Sequence, residues 1–151
     1  MEIKTIPTQQ AVAKTVRTSL RHIVEAIGDW PTRVWNEVTQ HKLQVTGAPV
    51  YVYKGCGEDP DQEFELSMCL PVQSHEGYQG AFEKTELGEY RCVESMYVGS
   101  MPDMAVKGWG AFMEEATRQK LPLAGEAREI YVQWIDFHSP QNQVLLQMGV
   151  V

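Results

Sequence analysis

The residues of this chain best equipped for chemistry converge on one short stretch, "AREIYVQW", Ala127 to Trp134. Ile130, Tyr131, Val132 and Trp134 favour extended backbone, so the stretch reads as a strand. Alternation puts Glu129 on one face with Tyr131 and Gln133, and Arg128, Ile130, Val132 and Trp134 on the other. A carboxylate beside a phenol in mid-sheet suits two kinds of chemistry. It can complement a cation, which the aromatic face also attracts through its quadrupole. Alternatively, with its pKa raised by burial, it can act as a general acid or base. The plainer alternative is a solvated face on which both side chains simply meet water.

Other chemistries lack their residues. His22, His41, His75 and His138 show no ligand spacing, and no CxxC pair exists, so no metal is expected. The run "EDPDQE" lacks the alternating oxygens and the glycine of a calcium loop, and reads as a turn between strands. There is no GxSxG, no cysteine within a histidine signature and no glycine-rich phosphate loop. No cofactor is expected.

Composition narrows the partners. The chain has 151 residues, 43% hydrophobic and 22% charged, which suits one soluble domain or two small modules sharing a core. Its net charge of -7 disfavours nucleic acid and anionic membrane, both of which select basic surfaces. No apolar run approaches the ~18 residues of a membrane span, and "MEIKTIPTQQ" has no signal-peptide pattern. Cys56, Cys69 and Cys92, odd in number and irregular in spacing, predict reduced thiols and a cytoplasmic location.

Helical periodicity appears twice. From Ser19 to His41 the apolar positions Ile23, Val24, Ile27, Trp30, Val34, Trp35 and Val38 recur at three- and four-residue steps. Gly28 and Pro31 divide this into a short helix and a longer one, with Asp29 as candidate N-cap. The second region runs from about Pro102 to Gln119, through Met104, Val106, Trp109, Phe112, Met113 and Ala116, and Gly108 and Gly110 weaken its middle. Strand signals are "IKTI", "QAVAKTV", "PVYVYKG", "EFELSMCLPV", "AFEKTEL", "YRCVESMYVG", "REIYVQW" and "NQVLLQMGV".

The order repeats, and so do the letters. Lys42, Leu43 and Gly47 align with Lys120, Leu121 and Gly125 at a constant offset of 78 positions (Leu43 to Leu121). The alternative is chance similarity of two short helix-to-strand junctions. A duplicated strand–helix–strand–strand unit predicts an α+β domain with one antiparallel sheet through both modules, about 1–75 and 80–151. A pseudo-twofold axis and a cleft between the modules follow. Gly47 and Gly125 are expected to be turn glycines at positive φ.

The same offset puts Tyr51 on Glu129 and Tyr53 on Tyr131. One face of the central sheet then carries a carboxylate and three tyrosines. Buried polar tips need partners, so this set favours a pocket for a flat or cationic lipophile over plain packing. Trp35 and Trp109, on the flanking helices, are candidates to stack on a ligand. Phe112, on the same helix as Trp109, joins them. Met68 lends adaptable apolar surface. Core packing is the competing role for each of these four.

The run "GWGAFMEEATRQKLPLAGEAREIYVQW", with its proline-bearing hairpin and final strand, resembles the GyrI-like small-molecule-binding domain. That family includes the effector-binding domains of AraC-type and MerR-type regulators. The resemblance covers nearly the whole chain and is strongest from Trp109 to Trp134. The family signature, a glycine followed by Arg/Pro-x-Glu-x-Tyr, falls on Gly125, Glu129 and Tyr131. It implies a glutamate in an aromatic cleft facing lipophilic cations, a role that passes to Glu129. The segment "ESMYVGSMPDM" fits only in outline, and no basic recognition helix is visible, so a stand-alone member is expected.

Three functions follow as expectations. The first is a multidrug-binding protein that sequesters hydrophobic, often cationic, aromatic compounds through Glu129, Tyr131, Tyr51, Tyr53, Trp35, Trp109, Phe112 and Met68. The second is a cofactor-free hydrolase that opens cyclopropane rings of DNA-alkylating natural products, with Glu129 as its catalytic acid–base. The third is an inhibitor that contacts DNA gyrase, for which no concentrated acidic tract speaks.

Overall fold

A computed structural model describes residues 1–151. All eight strand signals form strands: β1 (Lys4–Ile6), β2 (Gln9–Ser19), β3 (Val50–Lys54), β4 (Glu63–Val72), β5 (Glu83–Leu87), β6 (Tyr90–Val98), β7 (Leu123–Gln133) and β8 (Gln143–Val150). They make one antiparallel sheet in the order β1-β6-β8-β7-β3-β4-β2-β5, an α+β fold. Helices α1 (Ile23–Ile27) and α2 (Trp30–Gln40) follow β2. Helix α3 (Met101–Asp103), a π-helical segment (Met104–Gly110) and α4 (Ala111–Arg118) follow β6.

Each helix forms for a legible reason. Helix α2 starts with Pro31 in its first turn and buries Val34 and Val38 four residues apart. Asp29 holds the N-cap position, but its side chain caps nothing. Gly28, at φ 47°, makes the break between α1 and α2. The glycine-weakened middle of the second helical region is the π segment, where backbone hydrogen bonds close at longer range.

Strands β3 and β7 are the middle of the sheet, and outward from them β4 and β2 match β8 and β6, while the edge strands are exchanged, β5 completing the first half and β1 the second. The helix ends match in detail. In α2 the backbone N–H of His41, Lys42 and Leu43 donates to Glu37, Thr39 and Val38. In α4 the N–H of Gln119, Lys120 and Leu121 donates to Glu115, Thr117 and Ala116, each 78 positions on. Both are left-handed helix terminations, with Lys42 at φ 56° and Lys120 at φ 55°. These are the only non-glycine residues of the chain at positive φ.

This corrects the expectation for Gly47 and Gly125, neither of which has positive φ. The left-handed residue belongs at the helix terminus, five positions earlier, where it frees the chain from the helix. Gly125 lies within β7 instead.

The core is split by the sheet. On the helix-bearing face, Val12, Val34, Val38, Leu70 and Val72 pack under α2, and Val93, Tyr97, Phe112, Val144 and Leu146 pack under α4. Between them lies a third cluster, Tyr51, Tyr53, Phe64, Leu66 and Met68. On the other face, Ala11, Ala13, Val50, Val52, Cys69 and Leu87 form a small-residue layer with no helix in it.

Candidate functional site

One register row crosses the helix-bearing face: Lys14 pairs with Met68, Met68 with Tyr51, Tyr51 with Glu129, Glu129 with Leu146, and Leu146 with Ser95. Glu129 therefore stands at the centre of the sheet. Leu146 beside it is almost fully buried, as is Met68 beyond Tyr51.

The carboxylate of Glu129 is 2% exposed. Its Oε1 accepts from the Tyr53 hydroxyl at 2.7 Å and from the Tyr131 hydroxyl at 2.8 Å. Its Oε2 accepts from the Trp109 indole Nε1–H at 2.7 Å. All three donors are neutral, and no lysine, arginine or histidine forms an ion pair with Glu129. Arg128, the neighbouring cation, points to the opposite face, where it pairs with Glu126 at 2.8 Å and stacks 3.8 Å over Tyr90.

Electrostatics follow from that geometry. Burial pushes the Glu129 carboxyl above its ordinary value, and the Trp109, Tyr53 and Tyr131 donors pull back only part of the way. Burial first, and the Glu129 charge second, push Tyr51, Tyr53 and Tyr131 up as well. The phenols keep their protons and remain donors. A buried carboxylate with hydrogen bonds but no counter-ion is a site of unspent charge, because desolvating one ion costs several kcal/mol.

The other expected site residues fall into place around it. Tyr51 and Tyr131 rings lie 4.5 Å apart, tilted at 50°. Phe112 is buried and holds Trp109 from behind, with ring centroids at 5.2 Å. Trp35, 50% exposed, does not reach the carboxylate. It shares with Pro31, Val34, Pro49, Tyr51 and Met68 a shallow crevice of about 30 Å³. Glu129 does not line that crevice, and at 2% exposure its carboxylate is covered in this state.

Two roles differ from the sequence expectation. Trp109 is not only a stacking face: its N–H is one of the three bonds that hold the carboxylate, and it reaches there from the π segment. Trp134 was expected on the face opposite Tyr131. An irregularity in register between Tyr131 and Gln133 breaks the alternation, and the Trp134 ring lies edge-on to Tyr131 at 6.0 Å. Trp134, 52% exposed, stands beside Tyr131 where strict alternation set it on the other face, since a bulge leaves no signature there.

No protein-family model matches the chain, and no curated protein matches it. Solved structures do. The crystal structure of the EcmrR C-terminal domain superposes with a TM-score of 0.79 at 15% identity, over 99% of this chain and 96% of that one. SAV2435 bound to tetraphenylphosphonium gives 0.66 at 11% identity, over 99% and 93%. The fold is GyrI-like.

EcmrR in its DNA complex gives a TM-score of 0.77 at 15% identity, and there this chain spans only 57% of the longer chain. A hydrolase from Listeria innocua superposes with a TM-score of 0.57 at 10% identity. At these identities the likeness is one of fold. No helix of the chain is long and apolar enough to cross a membrane, and no cluster of three or more His, Cys, Asp or Glu could hold a metal ion.

Proposed function

We propose that this chain binds and sequesters hydrophobic, aromatic, often cationic small molecules on the Tyr51–Glu129–Tyr131 face, where two repeated modules, about 1–75 and 80–151, meet. The observation that carries the proposal is the uncompensated charge of Glu129: a carboxylate 2% exposed, with three neutral donors and no cation. A lipophilic cation supplies the missing charge while burying its own apolar surface against Tyr51, Tyr131 and Trp134. The fold likeness to a protein bound to tetraphenylphosphonium, a lipophilic cation, supports the same reading.

Entry requires movement, because the carboxylate is buried beneath Tyr53, Tyr131 and Trp109. Trp109 is the cover whose support is weakest. It belongs to the π segment, a geometry with poorer hydrogen bonding than an α-helix, and both its neighbours are glycines. In the proposed cycle the ligand displaces the indole and takes its place over Oε2. The cation thus replaces a neutral donor with a full charge.

The acid–base reading rests on the same carboxyl. Two phenol donors converge on Oε1, and burial raises the Glu129 pKa, the direction that strengthens a carboxylate as a base. In that reading Glu129 activates water against a strained ring and a tyrosine hydroxyl orients the substrate.

One titration separates the two. The protein is titrated with tetraphenylphosphonium and with a neutral compound of similar shape, following Trp fluorescence. A strained-ring electrophile is incubated in parallel, and every ligand is weighed by mass spectrometry. Cation-selective quenching with ligand masses unchanged supports sequestration. Loss of cation preference, with a product heavier by one water, supports the hydrolase.

A further inference from the structure

A sizeable cavity lies away from Glu129. It is a groove of about 740 Å³ beside β6, α4 and the π segment, lined among others by Ser95, Tyr97, Gly108, Ala111, Phe112 and Leu146. That volume is of the size that holds small-molecule ligands. The π segment lies between it and the Glu129 carboxylate, since Gly108 faces the groove while Trp109 bonds the acid.

The other half of the molecule shows what such a place holds. At the 78-position offset, Trp30 corresponds to Gly108 and Arg33 to Ala111. The sheet register gives the strand side: Met68 pairs with Lys14, and its counterpart Leu146 pairs with Ser95, so Lys14 corresponds to Ser95. In the first half the Trp30 indole fills the space. Lys14 Nζ lies 4.3 Å from its ring centre and the Arg33 guanidinium carbon 4.1 Å. Phe82 closes it edge-on at 6.1 Å. In the second half glycine, alanine and serine stand where the tryptophan and its two flanking cations stand in the first.

The walls differ next to Gly108, where a Cβ would meet the Tyr97 ring at 3.1 Å and Leu146 at 3.3 Å, so a side chain could not start from that position without a shift. The equivalent wall of the first half, Met68 with Val16, belongs to the cluster against which Trp30 packs. Tyr97 takes the space next to Gly108, and the part of the groove lined by Ser95 and Ala111, the counterparts of Lys14 and Arg33, stays open for a free ring.

We infer that the groove between β6 and α4 is a second ligand site, taking a planar aromatic molecule whose ring lies in the part lined by Ser95 and Ala111. With Ser95 and Ala111 in place of lysine and arginine, no cation brackets the ring. Tyr97, Phe112 and Leu146 supply apolar contact; among the other lining groups Lys107 pairs with Asp103, Glu115 with Arg118, the Met1 ammonium donates to Gln119, and His138 completes the lining. The site therefore selects uncharged rings, and it does not depend on Glu129 holding a cation.

The test is an NMR titration of the full chain with indole to millimolar concentration, read on backbone amides. Saturable shifts confined to Ser95–Ser100, Gly108 and Ala111 are expected. Ala111→Trp fills the groove from an exposed helix position and weakens indole about tenfold or more, while leaving tetraphenylphosphonium titration unchanged. Ser95→Trp fills it from the strand side and weakens indole likewise. Shifts centred on Tyr51, Tyr131 and Trp134, unchanged affinity in both variants, or no shift at all would overturn the inference.

Discussion

Tyr51 and Glu129 face each other across the two central strands, and they are also 78 positions apart, the offset that relates the two helix ends. A twofold operation relating positions at that offset would carry each residue onto the other, so its axis would pass between them. The pair breaks that symmetry in the most consequential place. One half puts a phenol at the axis and the other a carboxylate, so the centre of the sheet carries a single charge. Tyr51, Tyr53 and Tyr131 surround that charge with rings and hydroxyls.

The contribution of Glu129 to stability should fall as pH rises through the acid range. The folded chain holds the Glu129 proton more tightly than the unfolded chain, since burial raises its pKa. Folding is therefore favoured with the group protonated, and that advantage is lost between the unfolded value and the raised folded one. Glu129→Gln removes this component, so the difference in stability between variant and wild type should grow with pH and then level off. Urea unfolding of both proteins from pH 4 to pH 8 measures it. A difference independent of pH would contradict the raised pKa.

Cation affinity should move the opposite way. Only ionised Glu129 complements a cation, so affinity rises with pH and levels off above the folded pKa. Trp109→Phe deletes the donor to Oε2 while keeping a ring over the acid. The midpoint of the affinity-against-pH curve should shift upward in that variant, because a bond that favours the ionised form is gone. An unmoved midpoint would show that the indole does not hold the carboxylate in solution.

The paired helix ends make a prediction about backbone strain. Lys42 and Lys120 occupy left-handed conformations that cost an L-residue about 1–2 kcal/mol. Replacing either by glycine should stabilise the chain by about 0.5–1 kcal/mol after the entropy that glycine loses on folding. Thermal unfolding of the two single variants and the double checks this. The sites lie on different helices, so the gains should add.

Much of this fold is legible in the sequence, and the exceptions have physical causes. Alternation located all eight strands, and the 3.6-residue period located both helical regions, because each element buries one face. The repeat placed Tyr51, Tyr53 and Tyr131 beside Glu129, since equivalent strands share a face. Alternation cannot show a bulge, so Trp134 was expected on the wrong side of its strand. Glycine preference pointed to Gly47 and Gly125, whereas the helix terminations impose left-handed backbone on lysines. The glycines at 108 and 110 flagged a weak helix middle, but not that it would swing Trp109 onto the acid. The covering of the site is a matter of side-chain contacts across the fold, which spacing does not carry.

The central claim is that the buried charge of Glu129 selects cations, and affinity by isothermal calorimetry tests it most directly. Tetraphenylphosphonium and a neutral compound of similar shape are each titrated into wild type and Glu129→Gln at pH 8. Removing one partly desolvated charge interaction should weaken the cation on the order of a hundredfold, and the neutral compound by no more than about twofold. Equal losses for both ligands would contradict the account and leave Glu129 as a structural acceptor for Tyr53, Tyr131 and Trp109 alone.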